Sequence, residues 1–146
     1  MDTPYVCSGN TVHIQCECDG GYFCCGDGHA IQGEGEINGY SLEVSLLGRL
    51  RIEKSDYQDL SSILIETPDE MITIGVKRGI EDAVETAVLL MSQLLARAKD
   101  ISVTEAYQTA SPVGNIRLGA MWPLWGKKPR WTPIPMCLHL SKQCFQ

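Results

Sequence analysis

The run Ile80-Glu81-Asp82-Ala83-Val84-Glu85-Thr86-Ala87-Val88-Leu89-Leu90-Met91-Ser92-Gln93-Leu94-Leu95-Ala96-Arg97-Ala98-Lys99 decides how the rest of this chain is read. Ile80, Ala83, Val84, Ala87, Val88, Met91, Leu94, Leu95 and Ala98 recur at steps of three and four, the period of a helix that buries one wide face. Glu81, Asp82 and Glu85 stand where the helix dipole is positive and Arg97 and Lys99 where it is negative, so charge and hydrophobic pattern agree. Such a helix needs a surface to lie on, and Met91, in mid-stripe, is read as core. The residues before it supply that surface: Ser62-Ile63-Leu64-Ile65-Glu66 and Met71-Ile72-Thr73-Ile74-Gly75-Val76 are β-prone runs around Thr67-Pro68-Asp69-Glu70, whose Pro and Asp suit a tight turn. They predict a hairpin. After the helix, Ser102-Val103-Thr104-Glu105 has the capping-box spacing, predicting a short second helix to about Ala110 that Ser111-Pro112 stops. Gly114 to Ala120 offers a last strand through Ile116 and Leu118.

Upstream, residues 1–53 read as β-rich. Thr11 to Cys18 alternates, with Val12, Ile14, Cys16 and Cys18 on one face and His13, Gln15 and Glu17 on the other, the pattern of a half-buried strand. Asp19-Gly20-Gly21 reads as a turn and Tyr22-Phe23-Cys24-Cys25 as a short buried strand. From Gly39, period two returns through Tyr40, Leu42, Val44 and Leu46, then Leu50 and Ile52 beyond Gly48, which predicts a long strand kinked at that glycine. The expected fold class is therefore α+β: strands carrying a Gly-rich loop, then a small α+β lobe over 54–121 with one long and one short helix. Residues 122–146 stand apart as a divergent tail, with Trp122, Trp125 and Trp131 among Pro123, Pro129, Pro133 and Pro135, and no element is assigned there.

A net charge of −6 over 146 residues, with Lys127, Lys128 and Arg130 the one basic cluster, argues against a nucleic-acid or anionic-membrane surface. No apolar segment follows Met1 as a secretory leader would, and the richest apolar stretch, Ala87 to Ala98, is broken by Ser92, Gln93 and Arg97, short of the roughly 20 residues that span a bilayer. A cytoplasmic protein is expected. The seven cysteines cannot all pair within one chain, and Cys16-x-Cys18 and Cys24-Cys25 lack the spacing of a zinc ribbon, so they read as reduced, buried thiols. His13 and His139 read as structural or solvent-facing, and Tyr40 and Tyr107 as parts of apolar faces.

Chemistry concentrates in Gly26-Asp27-Gly28-His29-Ala30-Ile31-Gln32-Gly33-Glu34-Gly35-Glu36, which sets one imidazole and three carboxylates among frequent glycines. In extended backbone Asp27 and His29 share a face, and so do Glu34 and Glu36; a bend at Gly33 brings the pairs together. An imidazole with two carboxylates is a sufficient ligand set for Zn²⁺ in an open site, where bound water ionises near pH 7, and a remaining carboxylate is placed as general base. The plainer reading of the same residues is a solvated loop with a hydrogen-bonded histidine.

This run resembles the Gly-Asp-x-His-Ala-x-Gln-Gly-Asp-Gly-Glu signature of the acetamidase/formamidase family, which releases ammonia from small linear amides. The likeness extends in order through Gly35-Glu36-Ile37-Asn38-Gly39 to Leu42-Glu43, then Arg78-Gly79-Ile80-Glu81-Asp82-Ala83, and Thr104-Glu105-Ala106-Tyr107 with Ser111 through Leu118, so that it covers Val12 to Leu118. The resemblance implies hydrolysis of a small amide to carboxylate and ammonia, with His29, Asp27 and Glu36 catalytic, Gln32, Gly33 and Gly35 against the substrate, and Asp27, His29, Glu34 and Glu36 holding a divalent metal, Zn²⁺ first. Glu34 departs from the family's Asp by one methylene. The likeness also begins in the second half of family chains, so their N-terminal β-sandwich has no counterpart; the β-edges this leaves imply a partner, expected to be a homo-oligomer. Two other functions fit the same resemblance: a silent, truncated member serving as a subunit or interaction module, and an amidase for a larger arylacetamide.

Overall fold

The computed structural model describes residues 3–37, 39–58, 60–120 and 133–146. Its elements are β1 (Thr11–His13), β2 (His29–Ile31), β3 (Leu42–Glu43), β4 (Ile63–Glu66), β5 (Glu70–Lys77), α1 (Ile80–Lys99), α2 (Val103–Ala110), β6 (Asn115–Leu118), β7 (Ile134–Ser141) and a closing 3-10 turn, Lys142–Phe145. Five strands make one antiparallel sheet in the order β1-β4-β5-β7-β6, while β2 and β3 form a separate two-stranded ribbon. The fold class is α+β, as expected.

The hairpin forms where the sequence places it. Ile65 pairs with Ile72 and Glu66 with Met71. Its turn is held by Thr67, whose N–H donates to the Glu70 carbonyl at 2.9 Å and whose hydroxyl accepts from the Asp69 and Glu70 N–H groups. Alternation along β5 then divides two cores. Met71 joins Leu64, Leu138 and Leu140 beneath Ala87, Leu90, Met91, Leu94 and Leu95 of α1, with Ala106 and Ala110 of α2 closing the layer. Ile72 and Ile74 face the other way with Ile65 and Cys137, packed by Tyr5, Val12, Ile63 and Val76. The helical period thus meets the strand period at β5, and the buried Thr73 hydroxyl donates to the Ala87 carbonyl at 2.7 Å. One sheet face carries both helices, and the opposite face is left to the N-terminal segment.

α2 starts with the capping box the spacing predicts: the Ser102 hydroxyl accepts from Glu105 N–H at 3.2 Å and the Glu105 carboxylate accepts from Ser102 N–H at 2.9 Å. Ser102→Ala is expected to cost about 1 kcal/mol, seen as a lower urea midpoint at unchanged slope. Hydrogen bonds from Ser102 hold the Glu105 carboxyl below its ordinary value. Its contribution is present above the ordinary carboxylate range and is lost as pH falls through the folded value, so the gap between the two proteins narrows in acid.

β7 is the main element absent from the sequence reading. It lies between β5 and β6, pairing Ile72 with His139 and Ile116 with Leu138. From Pro135 to Leu140 it is buried on both faces and shows no alternation of apolar and polar residues, and Pro133 and Pro135 argue against a strand. Pro135 lacks an N–H, but its carbonyl accepts from Gly119 at 2.9 Å. The tryptophan cluster lies outside the described residues.

The N-terminal strands are shorter than predicted. β1 ends at His13, opposite Leu64 of β4, and Ile14, Cys16 and Cys18 are exposed where burial was expected. Tyr22, Phe23, Cys24 and Cys25 form no strand and are also exposed. Of the long strand expected over 40–52, Leu42–Glu43 alone pairs, and Tyr40 and Tyr107 are exposed instead of lying on buried faces. Period-two patterning makes a strand only where a partner edge and a covering layer exist. Among the described residues no helix is long and apolar enough to cross a membrane.

Candidate active site

The Gly-rich motif lies on the β2–β3 ribbon and is pinned to the end of β6 by Gly35, whose N–H donates to the Gly119 carbonyl at 3.2 Å. Across the ribbon His29 pairs with Glu43, and a register shift separates that pair from Ile31 and Leu42. His29 Nε2 lies 2.9 Å from Glu43 Oε1 and 3.6 Å from Asp27 Oδ1. The imidazole is 9% exposed, while the two carboxylates are 64% and 62% exposed. Burial lowers the His29 pKa, but the Glu43 hydrogen bond and the charges of Glu43, Asp27 and Glu36 outweigh it, and the net shift is upward.

One donor atom from each of Asp27, His29 and Glu43 lies within 4.8 Å of the other two. One imidazole and two carboxylates is the donor chemistry of an open three-ligand zinc site, so these residues fit a divalent cation. Two of the three non-glycine residues with positive φ among the described residues are in the motif, Asp27 at 60° and Glu36 at 38°. Strained backbone of this kind collects at sites that must hold side chains in place.

The remaining carboxylates have other partners. Tyr5 donates to Glu34 Oε1 at 2.5 Å and Arg117 Nη1 lies 3.2 Å from the same atom. The Tyr5 hydrogen bond, with help from Arg117, holds Glu34 below its ordinary pKa against its desolvation, while burial and Glu34 push the Tyr5 phenol up. Glu36 is buried and accepts from the Ser41 hydroxyl at 2.8 Å. Both carboxylates line a pocket of about 440 Å³ with Gly33 and Ser41, walled by Ile31, Ile37, Tyr40 and Leu42. Gln32 Nε2 is buried with no hydrogen-bond partner among the described residues.

The structure therefore brings Asp27 and His29 together, as their spacing predicts, and places Glu34 and Glu36 in the adjoining pocket rather than in the trio. The third member is Glu43, which the sequence reading did not single out. Pairing of the strands on either side of the motif is the signal that carries it. Tyr5 and Arg117, which orient Glu34, carry no local signal at all. His13 sits against Ser55 and Glu66, and buried His139 against Glu70 at 2.9 Å, as structural histidines.

A sheet carrying two helices on one face and the motif ribbon at its β6 end has counterparts among solved acetamidases. The chain is similar to the acetamidase from Yersinia enterocolitica, with a TM-score of 0.80 at 25% identity over 100% of this chain and 42% of that one. It is also similar in fold to the acetamidase from Bacillus halodurans, with a TM-score of 0.79 at 22% identity over 99% of this chain and 46% of that one. The chain thus spans less than half the length of either. No protein-family model and no curated protein matches it.

Proposed function

We propose that this chain carries the amide-hydrolysing site of an acetamidase-like protein, converting a linear amide and water to a carboxylate and ammonia with help from a divalent metal, Zn²⁺ first. The observation that carries the reading is the Asp27–His29–Glu43 trio beside a pocket lined by two further carboxylates, on a fold shared with acetamidases. Asp27, His29 and Glu43 would hold the ion; when bound, it polarises a carbonyl and acidifies water. Glu36, buried and lining the pocket, would take a proton from water and return it to the departing nitrogen. Glu34, kept ionised by Tyr5 and Arg117, serves as acceptor for the substrate N–H. The Gln32 amide nitrogen, buried without a partner among the described residues, would donate to the substrate carbonyl, and Gly33, in the pocket lining, would let backbone approach the substrate. Gly35 acts one step back, tying the loop to β6. The ribbon itself reads as the remnant of a β-sandwich.

A second reading within the same chemistry is an arylacetamide substrate, whose aromatic ring would lie against the apolar walls Ile31, Ile37, Tyr40 and Leu42. Ammonia release from formamide, acetamide and phenylacetamide, with and without Zn²⁺, separates these. His29→Ala is expected to lower turnover by at least ~100-fold. Turnover that survives His29→Ala rejects this site, and a folded, zinc-bound chain that releases no ammonia is the silent interaction module instead.

A further inference from the structure

We propose that the loop holding Cys16, Cys18, Cys24 and Cys25 is a site for a soft, thiophilic cation, Cu⁺ first, separate from the Asp27–His29–Glu43 trio. Four thiols fall within ten residues of sequence here. All four are free and exposed, whereas Cys137 is buried and Cys144 half-buried.

Little in the fold holds this stretch. From Ile14 through Asp27 every residue is exposed and none belongs to a helix or strand. Its aromatic side chains build no core, Tyr22 being 88% and Phe23 52% exposed. The loop bends at Asp19-Gly20-Gly21, where Gly21 N–H donates to the Cys18 carbonyl at 3.2 Å and the two glycines take positive φ, 88° and 44°. This turn folds the chain back on itself, so that a Cβ at Gly21 would lie 2.9 Å from Cys16 Sγ. Small units that bury too little apolar surface to order themselves are commonly stapled by disulfides or by a metal.

Spacing favours the metal. Cys24 and Cys25 are neighbours, with Cα atoms about 3.8 Å apart, under the ~4.4–6.8 Å that a disulfide spans. A single bridge across the turn leaves two of the four thiols over, whereas one cation takes several thiolates and demands no fixed pairing. Softness then sorts the two donor sets: thiolates select Cu⁺, while the imidazole and carboxylates of the trio suit a harder ion. Cys16-x-Cys18 and Cys24-Cys25 also lack the spacing of a zinc ribbon. The donors of the trio already lie within 4.8 Å of one another, but among the described residues no three of these Sγ atoms do, so the cation must close the loop as it binds. Each thiol that ligates gives its proton to the buffer, a Cu–S bond replaces the S–H bond, and no oxidation state changes. The inference stands apart from the amide chemistry.

The test titrates Cu⁺ into the full, reduced chain without oxygen, against a colorimetric Cu⁺ chelator, and follows the alkylation of each cysteine by mass. One ion per chain is expected, with alkylation of Cys16, Cys18, Cys24 and Cys25 slowed at least ~10-fold and that of exposed Cys7 unchanged. Amide exchange over 16–25 is expected to slow in the same sample. Cys16→Ser with Cys24→Ser is expected to weaken Cu⁺ binding at least ~100-fold and, since both side chains are exposed, to leave the urea midpoint of the metal-free chain where it was. His29→Ala is expected to change Cu⁺ affinity by less than ~2-fold, as independent sites do. Binding that survives the two serine substitutions overturns the proposal, and binding abolished by His29→Ala returns the ion to the trio and overturns it too. So does an ion shared between two chains, or protection that extends equally to Cys7.

Discussion

Gly75→Ala is expected to destabilise this protein by about 3–5 kcal/mol, above the usual 1–3 kcal/mol for overpacking and a large part of the 5–15 kcal/mol that holds a domain folded. β5 runs directly beneath α1, and a Cβ at position 75 would lie 1.9 Å from the Ala83 carbonyl oxygen, 2.7 Å from Ala87 N and 3.0 Å from the Ala83 carbonyl carbon. All three are backbone atoms of a helix, so no rotamer change relieves the contact. Either α1 lifts or β5 bends. Lifting the helix breaks the Thr73 hydroxyl bond to the Ala87 carbonyl and opens the layer where Leu64 and Met71 meet Met91 and Leu95. Urea unfolding followed by circular dichroism measures the loss, with Gly48→Ala as the control. An added Cβ at Gly48 has nothing within 4 Å, and the change there is expected to stay within about 0.5 kcal/mol. Equal midpoints for Gly75→Ala and the parent would mean that α1 does not sit on β5.

The same seam explains what was legible. The three-and-four spacing along the 20 residues of α1, the Ser102–Glu105 box and the Thr67-Pro68 turn are local signals that point to one arrangement, and each forms as its spacing predicts. β7 is unreadable for the opposite reason: buried on both faces and interrupted by Pro135, it has no period of its own and becomes a strand only between β5 and β6. In residues 40–52 the alternation predicts a long half-buried strand, but only Leu42–Glu43 pairs and the apolar side chains are exposed, because pattern alone supplies neither a partner edge nor a covering layer. The site divides the same way. Asp27 and His29 meet through their spacing, whereas Glu43 arrives by strand pairing 14 residues on. Glu34 is drawn off by Tyr5 and Arg117, at 29 and 83 residues' separation, and no motif spacing carries contacts of that range.

Zn²⁺ binding is expected to displace about one proton well below the His29 pKa, about half of one at it and none well above it, because the ion and the proton compete for one nitrogen. Protonated His29 lies between Glu43 at 2.9 Å and Asp27 at 3.6 Å, and these carboxylates are what raise its pKa against the opposing effect of burial. A raised folded pKa means that this pairing stabilises the fold fully below the ordinary histidine value and ceases to do so as pH rises through the folded one. Above that point two carboxylates share the Nε2 edge of a neutral imidazole, and a cation restores the charge balance that the proton supplied. Calorimetry in two buffers of different ionisation heat counts the released protons, and affinity is expected to fall as pH drops through the raised value. Glu43→Gln is expected to weaken Zn²⁺ binding by at least ~10-fold, since it removes both a ligand charge and the partner that fixes the imidazole. It also removes the main source of the upward His29 shift, which an NMR titration reads without any metal present. Glu34→Gln is expected to change Zn²⁺ affinity by less than ~3-fold, because that carboxylate is already engaged by Tyr5 and Arg117. Equal losses from the two substitutions would return the ion to the motif's own acid pair, and with it would fall the role of Glu43 as the ligand that strand pairing, rather than the motif, delivers.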